Sequence, residues 1–142
     1  MGMLDKYKGV FKSFDSHDVR YVVIGGIAAI LHGVPRMTFD LDILIDASPQ
    51  NALRLLEALA EAGMGTASLT TAEDLLENVV TIFRDRLLMD VQTSTPGITF
   101  EQAWQRRVRV TYQGQGLNVL CKEDLIASKL AAGREVDLED VR

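Results

Sequence analysis

The sequence predicts an α+β fold in which helices flank a mixed sheet. Three observations carry this. Tyr21–Ile24 is an unbroken apolar, β-prone run that reads as a central strand buried on both faces. A second apolar run, Asp40–Ile45, carries two carboxylates out of phase with its hydrophobics. Beyond residue 78, strand-like pairs alternate with helical segments.

The elements follow in order. Leu4, Tyr7, Val10, Phe11 and Phe14 recur at helical spacing between lysines, so Leu4–Phe14 is expected to be one amphipathic helix. Residues 16–20 turn into the first strand. Gly25-Gly26 then joins that strand to a short helix, Ile27–His32, with a turn at Gly33-Val34-Pro35. His32 is expected to pack at the helix end rather than to act in chemistry. Ser48-Pro49 is an N-cap followed by proline in the first helical turn, opening a helix to about Ala62 with Ala52, Leu55, Leu56, Leu59 and Ala60 as its apolar stripe. Gly63–Gly65 ends it, and the acidic stretch Thr70–Asn78 reads as helix or loop. Val79–Phe83 and Arg86–Gln92 form a hairpin turning at Arg84-Asp85. Thr99 caps a helix over Phe100–Gln105, its capping box incomplete because Glu101 comes too early. Val108–Tyr112 and Leu117–Leu120 pair around Gly114-Gln115-Gly116. Lys122–Ala132 is an amphipathic helix stopped by Gly133, and the charged tail 134–142 reads as helical.

The candidate chemistry lies between residues 21 and 46. Side chains two apart on a strand share a face, so Asp40 and Asp42 would project together. Two aligned carboxylates repel unless a cation sits between them. Oxygen ligands of this kind suit magnesium or manganese. The glycine pair would let a phosphate approach the backbone closely. Taken alone, an Asp-x-Asp also marks a solvated edge or a helix cap, and a lone Gly-Gly is a weaker signal still. Asp90, a charge within an apolar strand, is the expected third carboxylate, with a strand-end aspartate reaching solvent as its alternative. Arg36 could neutralise the carboxylates or grip a triphosphate; otherwise it is a surface arginine. Thr38 lies one pleat before Asp40. Arg106, Arg107 and Arg109 read first as a solvated strand edge, with RNA or nucleotide phosphates as the functional alternative.

Composition bounds the rest. The chain has 142 residues, 47% hydrophobic and 25% charged, with a formal charge of −5. It is expected to be a single domain over 1–142. The acidic balance argues against a simple DNA-binding module but not against RNA contact through a local patch. The single cysteine, Cys121, reads as a buried small hydrophobe and allows no intramolecular disulfide. No signal peptide or membrane span is expected, and the cytoplasm is the expected compartment.

With Gly25-Gly26, Arg36-x-Thr38-x-Asp40-x-Asp42, Asp90 and the closing KLAAGREVDLEDV in this order, the chain resembles the nucleotidyltransferase superfamily with a polymerase-β-like core. Within it, it is most similar to small AbiEii-type toxin-related proteins. The resemblance covers nearly everything after residue 20. It implies that Asp40 and Asp42 bind Mg2+ (or Mn2+) and the triphosphate, and that Asp90 helps activate the attacking hydroxyl. Gly25 and Gly26 take the place of the superfamily's glycine pair, whose second residue is more usually serine, so a phosphate-binding hydroxyl is missing. Lys129 and Asp137 fall at positions used beside the site, Lys129 as a point charge on the triphosphate; an exposed helix lysine is its alternative. Arg134 and Asp140 would pair and orient the last helix. The implied activity moves a nucleoside monophosphate from a nucleoside triphosphate to a hydroxyl on RNA, protein or a small molecule, with a toxin role beside an antitoxin partner. The alternative is a non-catalytic, antitoxin-like binding module that keeps the fold.

Overall fold

The computed structural model describes residues 2–34 and 40–133. In chain order the helices are α1 (Gly2–Asp5), α2 (Lys8–Ser16), α3 (Gly25–Leu31), α4 (Pro49–Glu61), α5 (Ala72–Glu77), α6 (Phe100–Arg106) and α7 (Lys122–Ala132), with a 3-10 turn at Gly65–Leu69. The strands are β1 (Tyr21–Ile24), β2 (Leu41–Ile45), β3 (Val80–Arg84), β4 (Leu88–Gln92), β5 (Val108–Tyr112) and β6 (Gln115–Val119). They form one mixed sheet ordered β3-β4-β2-β1-β6-β5. β1 runs antiparallel to β2 and parallel to β6, and β2 runs parallel to β4. The expected α+β architecture, a mixed sheet flanked by helices, is the one observed.

The central strands explain the core. All four residues of β1 are buried, as are Leu41, Ile43, Leu44 and Ile45 of β2. Tyr21 packs against Phe11 and Phe14 of α2, with ring centroids 6.0 and 4.9 Å away. The expected stripe Leu4, Tyr7, Val10, Phe11 and Phe14 is wholly buried. It does not lie on one helix, however. The chain breaks between α1 and α2 at Lys6–Tyr7, where Tyr7 N donates to Leu4 O in a tight turn. At the break the Tyr7 hydroxyl donates to Leu88 O at 2.6 Å.

Ser48 caps α4 as expected, accepting from Asn51 N at 3.2 Å, and Pro49 opens the helix. Ala52, Leu55, Leu56 and Leu59 are buried, but Ala60 is exposed and Ala58 takes its place. Thr99 caps α6 through Gln102 N even without a full capping box. The β3–β4 turn spans Asp85–Leu87, one residue later than expected. The β5–β6 turn sits at Gln113-Gly114, with φ 49° and 82°, a tight pair that matches strand twist. Gly133 ends α7 in the left-handed region. Cys121 is buried, and its burial pushes the thiol up from its ordinary value. Pro35 and the tail 134–142 lie outside the described residues.

Candidate functional site

The sheet register decides where the carboxylates go. Asp42 is the Cα partner of Ile24 on one side and of Asp90 on the other. Because β2 and β4 are parallel neighbours in register, the two aspartates stand side by side on one face. Asp40 is not in the ladder; it is the residue just before β2. Asp40 still lines the same cavity as Asp42, and the pairing of β2 with β4 brings in Asp90. All three aspartates are half-buried and line one cavity of about 430 Å³. Among the described residues, no three Asp, Glu, His or Cys side chains are gathered closely enough to hold a metal ion by themselves.

The cavity wall opposite the strands starts at Gly25. Helix α3 begins at the glycine pair itself rather than after it, and Ile24 at its N-cap supplies no side-chain hydrogen bond. Gly25 has φ 69°, a conformation that L side chains rarely adopt. A Cβ there would run into Asp42 Oδ2 and stand 3.2 Å from Asp42 Cβ and Cγ. The backbone at Gly25 thus touches the carboxylate with nothing between them. Gly25 and Gly26 both line the cavity.

Helix α7 forms the roof. Leu125, Ser128, Lys129 and Ala132 line the cavity at i, i+3, i+4 and i+7, one face of the helix. Lys129 is only 5% exposed, which overturns the alternative of an exposed helix lysine. A lysine is kept that deep only where its charge is answered. The loop before α6 completes the wall with Thr95 and Pro96. Gly97 lets that loop press on α7: at φ 89°, a Cβ would come within 2.8 Å of Ala127 O and of Ala131 Cβ.

From the other side of the sheet, Tyr7 reaches the same end of β2 and β4. It is fully buried, and its phenol is pushed up to about 12, first by burial and then by the negative charge of Asp40. His32 does what the sequence suggested: its Nε2 lies 2.7 Å from Leu120 O, fastening the end of α3 to the residue after β6. The basic triplet divides. Arg106 faces the buried Asp124 at 3.4 Å, Arg109 pairs with Asp15 at 3.0 Å, and Arg107 lies over the Trp104 ring at 3.7 Å. Arg36, Thr38, Arg134, Asp137 and Asp140 lie outside the described residues.

Three polar residues of the cavity, Gln92, Thr95 and Ser128, were not expected there from the sequence. Gln92 follows Asp90 by two on the same strand face, a spacing that signals it. Ser128 could have been found by helical spacing from Leu125. Thr95 carries no local signal, since only the loop's packing on α7 brings it in.

Comparison with known proteins bears on family and fold. A family model described as "Nucleotidyltransferase of unknown function (DUF6036)" matches residues 5–142. Among solved structures, a Thermotoga maritima protein described as a presumed nucleotidyltransferase is similar at a TM-score of 0.63 and 17% identity, covering 98% of this chain and 89% of that one. An antigenic nucleotidyltransferase-like protein from Paracoccidioides brasiliensis is similar at a TM-score of 0.57 and 18% identity, covering 96% and 74%. At these identities the structures speak for the fold. No curated protein matches the sequence.

Proposed function

The chain belongs to the family of nucleotidyltransferases of unknown function (DUF6036), and from that premise we propose that it transfers a nucleoside monophosphate from a nucleoside triphosphate to a hydroxyl acceptor. The observation that carries the reading is the pairing of Asp42 with Asp90 across β2 and β4, against the bare backbone of Gly25. A structural sheet face has no use for two adjacent carboxylates, whose repulsion costs stability.

The donor set fits Mg2+ or Mn2+. Magnesium is ordinarily held by one or two carboxylates, with substrate phosphates and water completing its shell. Asp42 and Asp90, with Asp40 in the same cavity, would hold it without a ready three-carboxylate cage. Bound there, the ion would neutralise phosphate charge and make the acceptor hydroxyl more acidic. The chain's own groups do the remaining work. Gly25 and Gly26 leave room for a phosphate against the backbone. Lys129 presents a positive charge to the triphosphate from the roof. Asp90 accepts the proton of the attacking hydroxyl, and the walls hold the reacting groups in line. Arg36 and Thr38 belong to the nucleotide side of this proposal, and residues 1–142 act as one domain.

The acceptor is the end of an RNA, a protein side chain or a small molecule. The finer reading, the toxin of a toxin–antitoxin pair of AbiEii type, rests on the resemblance of the motifs taken together. One observation favours a second reading, a binding module that keeps the fold without turnover: no three carboxylates gather on their own among the described residues.

A melting experiment tests ligand binding. A triphosphate with magnesium at about a hundredfold excess over Kd should raise Tm by on the order of 5–10 °C, and neither should do so alone. An unchanged Tm with all four triphosphates, in magnesium and in manganese, would overturn the reading.

A further inference from the structure

A second cavity, of about 500 Å³, lies at the opposite end of β1 from Gly25. Arg20 precedes that strand and Gly25 follows it, so the two sites are separated by roughly 16 Å at the usual rise per strand residue. Four arginines from four parts of the chain line this cavity: Arg20 before β1, Arg54 on α4, Arg107 after α6 and Arg109 on β5. The lining itself sets two aspartates, Asp15 and Asp18, against the four arginines, and Asp46 and Glu101 answer Arg20 from outside it. This leaves Arg54 and Arg107 as the cations without an ion pair among the described residues. Asp15 is taken by Arg109 at 3.0 Å, and Arg20 lies 3.4 Å from Asp46 and 3.7 Å from Glu101. Asp18 is the other carboxylate in the lining. Arg54 is half-buried yet makes no hydrogen bond or ion pair among the described residues. Arg107 donates to Trp104 O at 2.7 Å and meets no carboxylate there. Arg20 Nε is buried, and its nearest acid is Asp46 Oδ2 at 3.4 Å.

The cations are also held in place. The guanidinium of Arg107 stands 3.7 Å from the centre of the Trp104 ring and that of Arg20 4.8 Å, while Phe100 stacks on Trp104 at 5.7 Å. An arginine stacked on an aromatic ring is held with its plane fixed, and Arg107, which spends one N–H on Trp104 O, keeps other donors for phosphate oxygens. The site is broad and built from four elements, with no glycine-lined corner of the kind seen at Gly25. It suits successive phosphates of a strand laid across it better than one small nucleotide.

We propose that the arginine cavity formed by Arg20, Arg54, Arg107 and Arg109 beside Trp104 binds the phosphate backbone of single-stranded RNA. It goes beyond the transfer reading and stands without it. Were both true, the bound strand would be positioned to offer an end to the aspartate cavity.

The test is fluorescence anisotropy of a labelled twelve-residue oligouridylate with the full chain, in EDTA and without nucleotide, so that the metal site plays no part. Binding should weaken steeply with salt. The double variant R54A/R107A should bind roughly tenfold or more weakly. Its salt slope should flatten by about 0.7 for each phosphate that the variant no longer neutralises. R107K, which keeps the charge but not the planar stack, should fall between. Circular dichroism should show both variants folded, since the Arg54 side chain has no partner to lose among the described residues and the exposed Arg107 gives up only surface contacts with Trp104. Unaltered binding in R54A/R107A, no binding by the parent protein, or displacement of the oligomer by polyglutamate as readily as by unlabelled oligouridylate would overturn the proposal; the last would mark an acidic-protein surface.

Discussion

Asp42 and Asp90 are register partners on adjacent parallel strands, although 48 positions separate them in the chain. Their proximity is a property of the sheet order rather than of either strand. It places two negative charges beside a glycine backbone and beneath a buried lysine.

Gly25→Ala should do two separable kinds of damage. The left-handed backbone costs roughly 1–3 kcal/mol for any side chain. The new methyl must also displace the Asp42 carboxylate. Gly114 offers the control: its φ is 82°, but a Cβ there meets nothing within 4 Å. Urea unfolding should show both variants destabilised. Only Gly25→Ala should lose the Tm rise given by triphosphate and magnesium.

Lys129→Met keeps the stem and removes the charge. A charged hydrogen bond to phosphate is worth about 1.5–3 kcal/mol, so triphosphate affinity should fall roughly 10- to 100-fold. Titration calorimetry reads this directly. Equal affinity would show that Lys129 serves the helix and not the nucleotide.

Asn51 ties the two ends of the central hairpin together. It is 2% exposed, accepts from Arg20 N at 2.8 Å, and donates to Arg20 O at 3.0 Å and Asp46 O at 2.9 Å. Asn51→Ala leaves these backbone groups without their partner and should cost roughly 2–4 kcal/mol in urea unfolding.

Stability should decline at high pH. The phenols of Tyr7 and Tyr21 are both raised from the ordinary 10.0 to about 12, chiefly by burial. The folded chain therefore holds these protons more tightly than the unfolded one. Their contribution is complete below about pH 10 and is lost as pH rises through about 12. At 1.36 kcal/mol per pH unit, each is worth up to roughly 2–3 kcal/mol. Urea midpoints should fall between about pH 9 and pH 11.5, and Tyr21→Phe should flatten that fall. An equally steep fall in the variant would exclude Tyr21 as a source.

Local chemistry made much of the fold legible in the sequence. Ser48-Pro49 and Thr99 mark helix starts because capping is decided within three residues, and Gly133 marks a helix end for the same reason. β1 could be read because a strand buried on both faces has no polar side. What failed to show was non-local. The break falls at Tyr7, whose hydroxyl meets Leu88 O, 81 positions away. The exchange of Ala58 for Ala60 depends on how α4 sits on its neighbours. Lys129 gave no sign of burial because only the packing of α7 on the cavity decides which side of the helix is inward. Asp90 was recognised as out of place in an apolar strand, but its seat beside Asp42 follows from a parallel pairing that no short stretch encodes.

The central claim is that the Asp42–Asp90 pair serves transfer of a nucleoside monophosphate. The most direct measurement incubates the protein with each α-labelled triphosphate, magnesium or manganese, and a pool of RNA and protein acceptors, alongside Asp42→Asn and Asp90→Asn. Label should pass to an acceptor in the parent protein and fall by roughly 100-fold or more in each variant. Transfer that persists undiminished in both variants, or is absent from the parent with every triphosphate and both metals, would contradict the account.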